Sequence, residues 1–255
     1  MVWDFIVKFF GYFNNNGNVS SFSDTLGEGS FGWRHFLWIL IVIILAIGGY
    51  VLFRKYQKVG KKIVYFLVIS LFSIRFFHQS LRAIIGVETP WTRAFPFHMC
   101  TVLTFLLPLT IVFDWKKIKT PVFVLAIMGG VITMLMGEYF DSRFMTFWTL
   151  EGMAAHSILI LVPIYEAATN RFKFDFKESW KVLVGILVLM AWAMIANLVF
   201  FPNTDSNYMY LMENALPFGS DQTYFLIYTL IFAFFFGIIY GIPVLTRRLE
   251  QMRIK

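Results

Sequence analysis

The sequence predicts an all-α fold: a polytopic membrane helix bundle of about seven transmembrane helices, with the N-terminus outside and the C-terminus in the cytoplasm. Three observations carry that expectation. First, of 255 residues 58% are hydrophobic and only 15% are charged. A soluble domain carries ~25% charged residues, so this chain has too little charge to cover a water-facing surface, and a disordered chain is excluded by the same numbers. Second, the apolar residues form long runs instead of alternating with polar ones, which argues against a transmembrane β-barrel. Third, the positive charge is distributed unevenly along the chain, in the manner that sets orientation in a bilayer.

A helix needs roughly 20 apolar residues to cross ~30 Å of hydrocarbon. Seven stretches meet that need: His35–Phe53, Ile63–Ile85, Ala94–Phe113, Pro121–Phe140, Phe144–Tyr165, Trp180–Phe201 and Thr223–Leu245. The second is the most polar, since it carries Arg75, His78 and Arg82. The fourth is interrupted by Gly129 and Gly130, a pattern of close helix approach. Met1 to Phe13 is too short to span and lacks a signal peptide's charged start, apolar core and cleavage site, so it reads as an interfacial helix. The chain then divides into an interfacial segment and linker (1–32), a transmembrane bundle (33–248) and a cytoplasmic tail (249–255).

Charge supplies the orientation. The connections after the first, third and fifth spans and the residues after the seventh, with Lys181 just inside the sixth span, hold 16 of the 22 basic residues, including Lys58, Lys117, Arg171 and Arg248. The positive-inside rule puts those connections in the cytoplasm. The formal charge of +7 is thereby explained by loops, and nucleic acid is not expected as a partner. The expected location is the cell membrane, as a multi-pass protein. The single cysteine excludes a disulfide scaffold within the chain.

Polar groups inside the bilayer are the candidate functional residues, because each costs several kcal/mol unless paired. Arg75, His78, Gln79 and Arg82 share one face of the second span. That face either pairs with Glu138, Asp141 or Glu151, or holds an anionic head group through the Arg fork. The third span opens with Arg93 and then Pro96, His98 and Cys100. Pro96 suits a first helical turn, and His98 and Cys100 stand about 200° apart on a helix, so a base for Cys100 must come from another span. Glu151 and His156 lie in the fifth span, and His35 begins the first. All four histidines fall in or near the membrane and none in a cytoplasmic loop. His156 has as its bland alternatives a bond to Asn197 or to a backbone carbonyl, and Cys100 that of a small packing residue. Helical counting places Cys100 about 10 Å and His156 about 18 Å from the outer boundary. No HxxxH, ExxH, nucleophile elbow, P-loop or dinucleotide fingerprint is present, so no metal site and no cofactor is expected.

Three segments together resemble a known family. They are Phe95-Pro96-Phe97-His98-Met99-Cys100, the stretch Gly152 to His156 followed by Pro163 and Tyr165, and Asn207-Tyr208-Met209-Tyr210-Leu211. Their order and setting resemble the bacterial YwaF-type integral membrane proteins, in which "(L/W)P-L-H-L-C" opens a span, a His lies in a later span and "N-Y-M-F-L" follows near the end. Phe97 and Met99 stand in place of Leu, and His35 matches a His near the start of the family's first span. The resemblance covers the chain from about Gly32 to Leu245. That family is similar to eukaryotic transmembrane acyltransferases that remodel phospholipids through a Cys-acyl intermediate, and more distantly to androgen-induced hydrolases of fatty-acid esters that use Thr and His.

The resemblance implies an acyltransferase or transacylase moving a fatty acyl chain between membrane phospholipids and lysophospholipids. It implies Cys100 as nucleophile and His156 as base, with Thr101 as the fallback nucleophile. His98, Arg75, His78, Arg82, Arg93, His35, Glu151 and Asn207 are the expected substrate-binding residues. Two alternatives remain in view: a lipid-ester hydrolase, and a small-molecule binding or transport subunit with an anion-holding pocket built on Arg75, His78 and Arg82.

Overall fold

A computed structural model describes residues 31–85, 95–137, 147–202, 207–213, 220 and 223–253. Among the described residues there are seven α-helices and no strands. In chain order they are α1 (Trp33–Lys55), α2 (Gln57–Ile85), α3 (Met99–Val112), α4 (Lys116–Met136), α5 (Phe147–Ala168), α6 (Ser179–Ile195) and α7 (Tyr224–Arg253). A 3-10 turn, Phe176–Glu178, leads into α6; a π turn, Ala196–Phe200, extends it; a second 3-10 turn, Tyr208–Tyr210, lies before α7. Among the described residues five helices are long and apolar enough to cross a membrane. The chain is an all-α membrane helix bundle.

Burial ranks the helices. α5 is the most enclosed of the spans and packs against α4, α2 and α1, while α1 and α7 are the least enclosed. Exposed leucines, isoleucines and phenylalanines along α1 and α7 suit contact with lipid tails. The core joins Val64, Val68 and Leu71 of α2 to Leu103 and Leu107 of α3, Phe123 and Leu125 of α4, and Leu159 and Val162 of α5.

The basic connections gather at one end. Arg171, after α5, lies over the ring of Tyr65 in α2, 5.7 Å from its centroid. A Cβ at Gly60, near the start of α2, would stand 2.8 Å from Thr169 at the end of α5. Lys119, at the start of α4, reaches Glu166 of α5 at 2.9 Å, and Arg171 pairs with the same carboxylate. Glu166 has no solvent exposure. The buried carboxylate therefore ties the α3–α4 and α5–α6 connections together.

The opposite end is held by His35 of α1. Its Nε2–H donates to the Met134 carbonyl at 2.5 Å, and its Nδ1 accepts from the Phe31 N–H at 3.0 Å. α4 then stops at Gly137 with φ 69°, a left-handed residue whose N–H bonds back to Thr133. Glycine meets this geometry without a steric penalty. A Cβ there would also lie 2.7 Å from Cε1 of the His35 ring.

The third span departs most from the expected boundaries. Its helix begins at Met99 instead of Ala94 and has 14 residues, so Pro96 stands before the helix and not in its first turn. At 1.5 Å per residue it covers about 21 Å, short of the hydrocarbon thickness. The physical reason lies in the aromatic pocket that receives Phe97. Phe97 is buried among Trp192, Phe200, Phe201 and Tyr208, and the Pro96 carbonyl accepts from Trp192 Nε1 at 2.9 Å. Those contacts satisfy an extended entry. Irregular backbone at membrane depth is tolerated where protein covers it or where it lines a cavity.

Candidate functional site

The entry to α3 organises the site. His98 is the N-cap residue, extended at φ −74° and ψ 143°, and Cys100 falls in the first helical turn. The helical angle between the two, read from sequence, therefore does not apply. Cys100 is half-buried; its Sγ lies 3.7 Å from Thr133 Oγ1 of α4. One turn earlier, Gly129 gives the sulfur room: a Cβ there would stand 3.0 Å from Cys100 Sγ and 2.9 Å from Met99 Cε. The neighbouring Gly130 admits α5, since its Cβ would stand 2.9 Å from the His156 carbonyl oxygen. The glycine pair thus marks close helix approach on both sides, to α3 and to α5. Cys100 and the His156 backbone thus abut adjacent residues of one helix.

His156 is buried in α5, and its ring bonds within its own helix. Nδ1–H donates to the Gly152 carbonyl at 2.7 Å. That carbonyl, four residues back, takes the place of the Asn197 partner considered from sequence. An Nδ1 that donates leaves Nε2 as the nitrogen bearing the lone pair.

The polar face of α2 meets α5 and α3. Arg75 Nη1 donates to Glu151 Oε1 at 2.7 Å, and Nη2 donates to Thr101 Oγ1 at 3.1 Å. His78 Nδ1 lies 3.2 Å from Glu151 Oε2 and 3.3 Å from Arg75 Nη1. Of the three acidic partners considered, Glu151 engages this face; Glu138 and Asp141 lie outside the described residues. Taking two charges from water costs several kcal/mol each, which close pairing offsets. Some capacity is left over: Arg75 Nε and both polar atoms of the Gln79 carboxamide are buried with no hydrogen-bond partner among the described residues. Arg75 is a charged neighbour of His98 and of His156 as well. One guanidinium thus stands at the centre of the polar groups.

The remaining expected residues fall around this centre or away from it. His35 has both ring nitrogens bonded to backbone. Asn207 shapes the turn before α7: its Oδ1 accepts from the Met212 N–H at 2.9 Å, and its Nδ2 donates to the Glu213 carbonyl at 2.9 Å. Arg82 lies in the last turn of α2, and Arg93 lies outside the described residues. Thr133, Asn197 and Glu166 carry contacts that sequence reasoning did not assign. Thr133 gives no sequence signal, being a neutral residue in a span, and Asn197 enters the sequence reading only as a partner for His156. Glu166, a carboxylate at the end of an apolar run, gives one. Among the described residues no group of three or more His, Cys, Asp or Glu is placed to hold a metal ion.

No curated protein and no solved structure matches the chain. The sequence does match the model of one family of transmembrane proteins, described as the TMEM164 family, over residues 30–240. That span takes in α1 to α6 and most of α7, including every side chain of the site just described, and the chain belongs to the TMEM164 family.

Proposed function

We propose that this protein is a membrane acyltransferase that moves a fatty acyl chain between a phospholipid and a lysophospholipid through a thioester on Cys100. The observation that carries the reading is the pairing at the α4 glycines. Cys100 abuts Gly129, the His156 backbone abuts Gly130, and the Gly152 carbonyl holds the His156 ring with Nε2 as the basic nitrogen. A cysteine in the first turn of a helix is also where the dipole favours thiolate. The resemblance of the Phe95–Cys100 segment to the YwaF-type proteins points the same way.

The chemistry balances. His156 Nε2 takes the thiol proton, and Cys100 Sγ attacks the ester carbonyl of the donor lipid. Collapse of the tetrahedral intermediate breaks the C–O bond, and the leaving alkoxide takes the proton from His156. An acceptor hydroxyl then gives its proton to His156 and attacks the thioester; the C–S bond breaks, and the leaving thiolate takes that proton from His156 to restore the thiol. With water as acceptor the same cycle is hydrolysis. In this reading Arg75, His78, Glu151 and Gln79 hold the polar part of the lipid, and Arg82 and Arg93 extend that surface outward. The protein sits in the cell membrane with the Lys119–Glu166–Arg171 end toward the cytoplasm, following its charge.

The test is acyl exchange in proteoliposomes, with a deuterated-acyl phospholipid as donor and an unlabelled lysophospholipid as acceptor. The expected result is label in the acceptor, lost with Cys100→Ser and reduced at least about a hundredfold with His156→Gln. Exchange that survives Cys100→Ser overturns the reading. A second reading, a subunit that binds an anionic solute, is favoured by the buried Gln79 carboxamide and Arg75 Nε, which have no hydrogen-bond partner among the described residues. It expects Cys100→Ser to be tolerated and Gln79→Leu to abolish solute binding.

A further inference from the structure

Resting on that reading, we propose that His98 is a second functional histidine, a hydrogen-bond donor to the acyl oxygen. We propose further that Asn197 is the positioning residue that sets it through the Tyr208–Tyr210 turn. Two of the histidines that have Arg75 as a charged neighbour, His156 and His98, are wired in opposite senses. His156 donates from Nδ1, to the Gly152 carbonyl. His98 accepts at Nδ1, from the Met209 N–H at 3.3 Å. A ring that accepts at Nδ1 is neutral and carries its proton on Nε2. His156 therefore offers a base and His98 offers an N–H, the two roles that ester transfer needs. His98 stands two residues before Cys100, at the cap of the helix whose first turn holds the sulfur.

The bond to His98 rests on a costly backbone. Met209 and Tyr210 both have φ of 55°, the left-handed region that residues with a Cβ avoid. Such conformations persist where surrounding structure over-determines them. Asn197 does so here. Buried in the π turn, it accepts from the Tyr208 N–H at 2.9 Å and donates to the Tyr208 carbonyl at 3.2 Å. Its carboxamide pairs with both polar groups of that residue, as a neighbouring strand would. The rings of Tyr208 and Tyr210 flank His98 at 5.2 and 5.9 Å. The π turn that extends α6 gives Asn197 this reach, and such turns recur at functional sites.

The experiment is ¹⁵N NMR of the full-length protein labelled at histidine, with its four histidines assigned by single substitutions, beside the acyl-exchange assay. The expected spectrum shows His98 protonated at Nε2 and His156 at Nδ1. Asn197→Ala is expected to give His98 a mixture of tautomers and to slow exchange about tenfold. His98→Asn keeps an acceptor for the Met209 N–H and removes the Nε2 donor. It is expected to slow exchange about a hundredfold with Tm unchanged, whereas a purely structural His98 would leave exchange intact. A His98 protonated at Nδ1, an unchanged tautomer in Asn197→Ala, or full exchange in His98→Asn each overturns the proposal. A wild-type protein that exchanges no acyl chain sinks the acyltransfer reading and, with it, the donor role. The tautomer spectrum separately decides the part assigned to Asn197.

Discussion

At the scale of single residues, the site is defined by what has been left out as much as by what is present. Gly129 lacks the one atom that would press on Cys100 Sγ and Met99 Cε. Gly129→Ala is expected to slow acyl exchange about tenfold, because a displaced nucleophile loses its alignment, while thermal stability changes little. Exchange assays and melting curves on one preparation check this. Met209 gives a second prediction. Its φ of 55° costs about 1–2 kcal/mol for a residue with a Cβ. Met209→Gly keeps the N–H that His98 accepts and removes that cost, so it is expected to leave stability equal or higher. Met209→Val, with a branched Cβ, is expected to lower it by about 2 kcal/mol. Equal melting temperatures for the two variants would show that the turn relaxes without penalty.

At the scale of elements, the ends of helices do the positioning. α4 ends where Gly137 turns left-handed beneath the His35 ring, and His35 caps the Met134 carbonyl. Gly137→Ala adds a strained φ and a collision with that ring, and is expected to destabilise by about 2–3 kcal/mol. The two sites share one contact, so Gly137→Ala and His35→Ala are expected to be less than additive in a double-mutant cycle. Additive losses would mean that the ring and the glycine act separately.

Helix existence was legible in the sequence, because each apolar run is long and bounded by charge or turn residues. The start of α3 was not. Pro96 and the apolar Phe95 and Phe97 read as a first helical turn, yet Phe97 is drawn into an aromatic pocket built by α6, the π turn and Tyr208. That pocket comes from residues about a hundred positions away, and local pattern carries no trace of it. For the same reason the face holding Arg75 and His78 was legible as a buried polar face. That Glu151 pairs with this face required the fold. The histidine tautomers also depend on tertiary contacts, with the carbonyl inside α5 as the partial exception.

At the scale of the whole molecule, charge is sorted to the two ends of the bundle and to one point between them. Glu166 holds Lys119 and Arg171 at the basic end; Arg75 and Glu151 are paired within the bundle. Removing one partner of a buried pair leaves an uncompensated charge, at about 3–5 kcal/mol. Glu166→Gln is therefore expected to lower Tm sharply. Any exchange activity per folded molecule is expected to be retained, since Glu166 lies at the other end of α5 from the site. Glu151→Gln is expected to lower both. Activity lost in proportion with Glu166→Gln would show that the two ends are coupled.

The central claim is that Cys100 carries the acyl chain. The most direct measurement is intact mass of the purified protein after incubation with a defined diacyl phospholipid, with and without hydroxylamine. Acyl transfer through Cys100 gives a mass increase of one acyl chain, removed by hydroxylamine and absent in Cys100→Ser. Lipid that is exchanged or cleaved with no hydroxylamine-sensitive adduct, or an adduct that persists in Cys100→Ser, would contradict it.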